Sequence, residues 1–335
     1  MLRMIGKDAT MHKRCLAVKI RKISAEHLNT IGKLIMTENY EEIKKACLEK
    51  WQDEFEIDKR LQYFCNSFHD WLEQIPESAK HIALTLIQNL EYYSRPVANR
   101  WLHHLHSELT SRSHVTDENT IYAFIKSEDG KSNSSNDYWT EYKAINEVNA
   151  EICYENTNAI STEEWEYIEN IVFIDDFSGS GSSFIDELSK DSSKYKRKNV
   201  YFIAINIMRI AISEIKRFGE QENINIVMLI GSYQEKAFER NLFENDDDAK
   251  NMIKKMSKQL KIPKNDRLGW KKCQSLVAFY NNTPNNTLGF IRYDTDTYRS
   301  LFPRRNDKKP AWQTMKRDLE KRKMANYNNQ IRGST

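Results

Sequence analysis

Stripes of apolar residues with helical spacing give way, about a third of the way along the chain, to short runs typical of strands. The stripes 61–72, 79–93 and 97–105 repeat apolar residues every three or four positions and predict helices, with Pro76 and Pro96 where the second and third would begin. From residue 120 onward, β-rich runs alternate with helical stretches; the runs are 120–125, 171–174, 200–207, 224–230 and 276–280. This alternation is typical of an α/β protein with a doubly wound, mostly parallel sheet.

The same pattern divides the chain into three parts. We expect a basic segment and a helical region over 1–115, an α/β domain over 116–302 and a basic C-terminal tail over 303–335. Within the α/β domain, 139–149 predicts a helix, and Ser161 with Glu164 predicts a capping box before the strand at 171.

The most informative stretch is that strand together with the loop after it. Four apolar residues, 171–174, predict a strand buried on both faces, which Asp175 and Asp176 would end. Small residues then turn the chain into a helix: Ser178, Gly179, Ser180, Gly181, Ser182 and Ser183. A strand, a glycine turn and a helix N-terminus together form an anion site, because the backbone can approach the ligand and unpaired amides point at it. We expect a side chain at position 181 to occupy the place of a bound phosphate.

The two acids suit a sugar diol better than a proton-sharing pair, because adjacent strand residues point to opposite faces. The stretch has no Lys after its second Gly, unlike the phosphate loop of nucleotide triphosphatases, and it lacks the third Gly of a dinucleotide site. The alternative is a strand and turn that bind nothing, but two acids ending a buried strand are costly without a partner.

Two acids followed by a small-residue loop resemble the binding motif for 5-phosphoribosyl 1-pyrophosphate (PRPP) in type I phosphoribosyltransferases. That motif has four apolar residues, two acids, three variable positions and then Ser/Thr-Gly-x-Ser/Thr, and residues 171–183 match all of it. The resemblance implies that Asp175 and Asp176 are catalytic and hold the ribose hydroxyls, while the loop cradles the 5′-phosphate. It also implies Mg²⁺ as a cofactor carried by PRPP or a nucleotide, with no direct protein ligands.

Two further loops are candidates for the same site. In that family the loop after the first core strand binds pyrophosphate, and here it offers Lys126, Ser127 and Lys131; a solvated loop is the alternative. Asn282, Asn285 and Asn286 flank Pro284, where they form either a turn or a substrate-recognition loop.

One segment departs from the family. Between residues 133 and 169 the chain has one basic residue, Lys143, and eight glutamates, where catalytic members carry a mobile basic loop. Cations stabilise a departing pyrophosphate, so this segment argues against turnover, although not against binding. An enzyme and a non-catalytic binder therefore both stay open.

The motifs together resemble the phosphoribosyltransferase-like proteins of bacterial anti-phage loci, including retron-associated ones. The resemblance implies a toxic effector or a sensor that reads PRPP or a nucleotide, in a multi-subunit complex with a reverse transcriptase and its RNA or DNA. A non-catalytic regulatory subunit and a nucleic-acid-associated accessory protein are the alternatives.

Charge and composition predict possible partners and the location of the protein. The ends are basic, with seven Lys/Arg and one acid in 1–22 and ten Lys/Arg and three acids in 304–332, which would suit nucleic acid phosphates or a solvated tail. Five cysteines without CxxC spacing predict reduced thiols and a cytoplasmic protein. No apolar run approaches the roughly 18 residues of a membrane span, so we expect no membrane partner.

Overall fold

The computed structural model describes residues 40–51, 58–126 and 133–305. The chain divides into two units, Met1–Ile43 and Lys44–Thr335, and the sheets and their helical layers belong to the second. The helices are α1 (Tyr40–Trp51), α2 (Lys59–Glu73), α3 (Glu77–Gln88), α4 (Arg95–Thr110), α5 (Ser134–Ile145), α6 (Thr162–Tyr167), α7 (Ser182–Ser189), α8 (Ser192–Tyr195), α9 (Arg209–Glu222), α10 (Asp246–Gln259) and α11 (Gly289–Arg292). The strands are β1 (Glu91–Tyr93), β2 (Thr120–Phe124), β3 (Cys153–Tyr154), β4 (Asn170–Ser178), β5 (Asn199–Met208), β6 (Asn225–Gln234) and β7 (Val277–Phe279). Among the helices of these residues, none is long and apolar enough to cross a membrane.

Five of the strands form one parallel sheet in the order β3-β2-β4-β5-β6. β4 is central, with Ile171 opposite Ile121 of β2 and Val200 of β5. All nine residues of β4 are buried, as its unbroken apolar run predicts for a strand covered on both faces. Because the strands run in the same direction, the segments that follow them meet at one edge of the sheet.

Helices cover both faces of this sheet. On one face, Val172 and Ile174 of β4 belong to a core that includes α4 and α5. On the other, Ile171 and Phe173 pack in a core with α7 and α9. Adjacent strand residues feed opposite cores because their side chains alternate between the faces. The predicted doubly wound α/β fold is confirmed.

A second, two-stranded parallel sheet pairs β1 with β7, with Tyr92 opposite Ala278. The prediction that 79–93 is a single helical stripe was wrong here, because α3 ends at Gln88 and the chain turns into β1. A strand of three residues is too short to show the period of two that would reveal it. The helical region is thus bonded to a strand far along the chain. The domain boundaries at 115 and 302 stay predictions.

The other elements agree with the sequence patterns to different degrees. The capping box of Ser161 and Glu164 is confirmed at the start of α6. The strand and helix pattern over 200–230 is confirmed in β5, α9 and β6. However, α5 begins well before the predicted Trp139, because the Asn133 side chain accepts the backbone N–H of Asn136 at 3.0 Å. The two-residue β3 was not predicted.

A buried polar cluster joins the two sheets. Asn206 of β5, which is fully buried, donates from Nδ2 to Glu91 Oε2 at 2.9 Å and to Ser232 Oγ at 2.7 Å. Tyr93 Oη donates to the same Glu91 oxygen at 2.8 Å, and burial followed by the Glu91 charge raises the pKa of Tyr93. These buried polar groups form hydrogen bonds to one another in place of hydrogen bonds to water. Loss of one group therefore leaves its partners with one hydrogen bond fewer.

Removal of the Asn206 donor tests this connection. We expect Asn206→Ala to lower the free energy of unfolding by about 2 kcal/mol, because Glu91 and Ser232 each lose one buried hydrogen-bond donor. Asn265→Ala, at an exposed position, should change it by less than about 0.5 kcal/mol. Urea unfolding measures both. Equal stability of the Asn206 variant and the wild type would contradict the role of the cluster.

A candidate ligand-binding cleft at the carboxyl end of the sheet

A cleft of about 600 Å³ opens where β2 and β4 end. It is lined by the loop after β4, the start of α5 and two late segments near residues 270 and 282–286. The predicted site residues that the structure describes all line it: Lys126, Asp175, Asp176, Ser178, Gly179, Ser180, Gly181, Ser182, Ser183, Asn282, Asn285 and Asn286. Ser127 and Lys131 lie outside the described residues, as do most of both basic ends.

A second depression, of about 620 Å³, lies at the amino ends of β5 and β6. Arg197, Lys198 and Lys216 are among the residues that line it, and none of the predicted site residues is. The two are similar in size, so volume does not choose between them. The chemistry of the lining does, because only the cleft after β4 combines carboxylates, glycines and hydroxyls.

The two acids lie inside β4, not after it, because the strand continues to Ser178. Asp175 is 8% and Asp176 4% exposed. A hydrogen bond joins their side chains, so the prediction that the carboxylates point apart was wrong. The Asp176 backbone N–H also donates to Asp175 Oδ1 at 3.0 Å, which holds the first carboxyl beside the second. The cleft thus contains a contiguous pair of carboxyls.

Burial is the first cause of a raised pKa at both carboxyls. At Asp175 the charge of Asp176 and the hydrogen bond between them add to it, so its pKa lies well above the usual range. At Asp176 the hydrogen bonds from Asp175 and Ser134 oppose the rise in pKa. We infer that the two carboxyls share one proton when no ligand is bound, because burial raises the pKa of both.

Hydrogen bonds hold the start of α5 against the end of β2 and against β4. Ser135 Oγ accepts the Ile125 N–H at 2.9 Å and donates to the Ile174 carbonyl at 2.6 Å. Asn133 Nδ2 donates to the Ile125 carbonyl at 2.8 Å. These bonds place the Ser134 hydroxyl where it donates to Asp176. The sequence pattern did not reveal this serine, because it predicted a helix that begins at Trp139 and not at Ser134.

The loop after β4 has the geometry of an anion cradle, and one expectation about it was wrong. Gly181 has φ +76° and directly precedes α7, while Ser180 Oγ and Ser182 Oγ lie 3.0 Å apart. A Cβ at Gly181 would meet Ile215 Cγ1 at 3.1 Å and the Ala211 carbonyl at 3.3 Å. A side chain there would therefore press on α9 and strain the backbone, not fill the place of a phosphate.

Asn286 connects this loop to the segment around residue 270. Its amide lies against Gly179, where an added Cβ would overlap it. Asn286 Nδ2 donates to the Trp270 carbonyl at 3.3 Å and to Cys273 Sγ at 3.2 Å. Gly269 packs on the Asn286 backbone so closely that a Cβ would overlap its carbonyl. Asn286 is therefore a structural contact between two walls of the cleft.

The asparagine loop is both a turn and a cleft wall. The Thr287 N–H donates to the Pro284 carbonyl at 3.2 Å, which closes a turn. Asn282 Oδ1 accepts the backbone N–H groups of Thr283 at 2.9 Å and Arg305 at 3.2 Å. By contrast, Asn285 makes no side-chain hydrogen bond to another described residue. Of the three asparagines in this loop, Asn285 is therefore the one whose side-chain amide has no hydrogen-bond partner among the described residues.

Cations reach the cleft from several parts of the chain. None of the eight glutamates of 133–169 lines it, so that segment does not set its charge. Lys190 forms an ion pair with Glu187 at 2.6 Å. The cationic lining residues are Lys126, Lys190, Lys271 and Arg304. The acidic segment therefore contributes no carboxylate to the described lining of the cleft, and the enzyme and the non-catalytic binder both stay predictions.

Among the lining residues that the sequence did not reveal are Trp270, Lys190, Lys271 and Arg304. Gly269 was the available signal, because a lone glycine before an aromatic residue in a polar stretch indicates a close backbone contact. Trp270 is 47% exposed, which is unusual for an indole.

The inferred shared proton predicts how the stability of the protein depends on pH. Because the pKa of Asp175 is raised in the folded state, the contribution of this carboxyl to the free energy of unfolding is highest at low pH. It falls as the pH rises through that pKa. Asp175→Asn needs no proton, so the unliganded variant should be more stable than the wild type at pH 8, by about 1 kcal/mol or more. The difference should shrink as the pH falls towards 5. Asp186→Asn, at an exposed position of α7, is the matched control.

Thermal unfolding between pH 5 and 9 measures the effect. An Asp175→Asn variant less stable than the wild type across this range would contradict the shared proton.

The chain was compared with solved structures and with curated proteins. The solved structures similar to it include a xanthine-guanine-hypoxanthine phosphoribosyltransferase from Helicobacter pylori, with 11% identity, a TM-score of 0.29 and coverage of 44% of this chain and 85% of that one. Another is a hypothetical protein from Neisseria gonorrhoeae with bound ppGpp, with 8% identity, a TM-score of 0.28 and the same coverages. Scores this low carry no argument. No curated protein matches the chain.

A protein-family model gives the stronger result. The model PRTase-CE matches residues 68–304, well over half of the 335 residues, and this range includes the whole described cleft. The five-stranded parallel sheet and the strand-acid-loop order agree with it. The chain belongs to the PRTase-CE family and is a type I phosphoribosyltransferase-like protein.

Proposed function

We propose that the cleft binds PRPP or a related 5′-phosphorylated ribose together with Mg²⁺. The observation that carries the proposal is the convergence of a left-handed glycine turn, a helix N-terminus and two buried carboxyls on one cleft. A phosphate needs donors, which the loop amides and hydroxyls supply. A ribose diol needs acceptors, which the carboxyls supply once the shared proton leaves.

Mg²⁺ fits this arrangement as part of the ligand. Among the described residues, no group of three or more His, Cys, Asp or Glu side chains could hold a metal ion. Two carboxyls at a sugar diol are compatible with an ion carried mainly by the hydroxyl and pyrophosphate oxygens of the ligand. Bound in this way, it would neutralise pyrophosphate charge, while Asp175 and Asp176 orient the ribose.

Transfer of the phosphoribosyl group is a second candidate function, favoured by the cations that line the cleft. In this reaction the bond from C1 to pyrophosphate breaks and a bond from C1 to an acceptor forms. Lys126 and Lys271 would stabilise the departing charge, and the acids would stabilise the positive charge that develops at C1.

The motif resemblance supports the biological setting that we propose. In it the chain is a toxic effector or sensor of an anti-phage system of the retron type, within a complex that contains a reverse transcriptase and its RNA or DNA. The alternatives are a non-catalytic nucleotide-binding subunit and a nucleic-acid-associated accessory protein. Co-purification from the native host, followed by identification of bound proteins and nucleic acids, tests this setting.

A charge change in the loop tests phosphate binding. Ser183 is exposed in the first turn of α7, where a glutamate suits the helix dipole but repels a phosphate. We expect Ser183→Glu to fold normally and to lose at least tenfold in affinity for ribose 5-phosphate and for PRPP with Mg²⁺. Ser189→Glu, at the other end of α7, is the control and should bind as the wild type does. Calorimetry showing equal affinities for all three proteins would contradict the proposal.

The acids separate a binder from an enzyme. If the chain only binds, Asp175→Asn and Asp176→Asn should each cost on the order of 1–2 kcal/mol in affinity, because an amide oxygen still accepts from the diol. If it transfers the group, each change should also lower the rate a hundredfold or more. PRPP consumption and calorimetry on the same three proteins measure both. Absence of turnover in the wild type, with or without its partners, would exclude the second candidate.

A further inference from the structure

One stretch of the described chain is strongly basic and plays no part in the proposed phosphoribose site, apart from its last residues. Residues 249–272 contain nine Lys/Arg and a single acid. That acid, Asp266, is paired with the fully buried Arg292 at 2.6 Å, so it does not offset the exposed charge. A lysine-rich stretch is often only a solvated surface, so its placement matters.

The lysines of α10 form one side of an amphipathic helix. Ala249, Ile253 and Met256 are buried on the opposite side. The exposed lysines of the stretch are Lys254, Lys255, Lys258, Lys261, Lys264, Lys271 and Lys272, which we call the lysine track. Lys254 and Lys258 are about 6 Å apart along the helix axis, one above the other. Apart from Lys254, none of the track forms a side-chain hydrogen bond or ion pair with another described residue.

Along the chain, the lysine track extends to residues that line the cleft. After α10, Arg267 Nε donates to the Ile262 carbonyl at 3.0 Å, and Gly269 packs on Asn286. The Trp270 N–H then donates to the Asn285 carbonyl at 2.8 Å. These bonds fix the main chain so that the half-exposed Trp270 ring and Lys271 lie on the cleft lining. Charge and an exposed aromatic ring therefore meet beside the proposed phosphoribose site.

We propose that the lysine track and Trp270 bind single-stranded nucleic acid, whose 5′-phosphorylated terminal nucleotide enters the cleft. The entry of that nucleotide rests on the proposed function; the surface itself does not. Lysines neutralise backbone phosphates, and an exposed indole stacks on an unpaired base, whichever base it is. A paired base would present no open face to Trp270. A membrane is disfavoured because the apolar side of α10 is buried in the protein.

Salt-dependent binding tests the surface with the full-length chain. The probe is a 12-nucleotide single-stranded DNA with a 5′-phosphate and a 3′ fluorophore, followed by anisotropy between 50 and 200 mM salt. Replacing Lys255, Lys258 and Lys264 with Gln should lower the slope of log affinity against log salt by about 2, at roughly 0.7 per phosphate contact. The matched control replaces three exposed cations at the opposite edge of the sheet, Lys196, Arg197 and Lys216, with Gln and should keep the wild-type slope.

Trp270→Ala should weaken binding of the single strand about tenfold with little change in slope, since stacking is not ionic. A lysine-track variant that binds like the control variant would overturn the inference. So would tighter binding of the matching duplex, or equal competition by polyglutamate or by anionic phospholipid vesicles, because each removes the need for an unpaired base.

A comparison of oligonucleotide ends separates this inference from the proposed function. The 5′-phosphorylated strand should bind more tightly than the 5′-hydroxyl strand, and Ser183→Glu should abolish that preference while the salt slope persists. If ribose 5-phosphate does not bind but the lysine-track effects remain, the proposed function fails and the surface stands. If both ends bind equally to the wild type, the terminal nucleotide does not enter the cleft, and that part of the inference is overturned.

Discussion

Two carboxyls buried at the carboxyl end of the central strand are the constraint on which the site depends. Asp175 and Asp176 lie in β4 between the two helical layers and are 8% and 4% exposed, so little water reaches them from the cleft. Two adjacent charges would be strongly unfavourable there, and a shared proton relieves the repulsion. A sugar diol would relieve it too, by donating to both carboxyls. The fold thus keeps a polar pair that is better satisfied with a ligand than without one.

The remaining walls of the cleft come from distant parts of the chain. Asn286 holds the segment of Trp270 against Gly179, and Thr283 Oγ1 accepts from the buried Arg60 of α2 at 2.6 Å. The helical region before the sheet therefore helps to position the loop at 282–286.

How much of this the sequence could predict depends on the range of the interaction involved. The buried strand, its acids and the glycine turn follow from adjacent residues, and so does the alternation that gives the doubly wound sheet. The sequence could not reveal β1, because its partner β7 lies far along the chain and three residues carry no period. Gly181 faces α9, and Asn286 reaches Gly179, only once the chain has folded. Trp270 was missed for the same reason, since its place on the cleft depends on Asn285 and Asn286.

In the proposed function, the turn after β4 binds the phosphate and the acid pair binds the ribose. A crystal structure with PRPP and Mg²⁺ tests it most directly. We expect the 5′-phosphate at the backbone amides of residues 178–183 and the ribose hydroxyls within hydrogen-bond distance of Asp175 and Asp176. Density for the ligand at the second depression, beside Arg197 and Lys216, with an empty cleft would contradict the account.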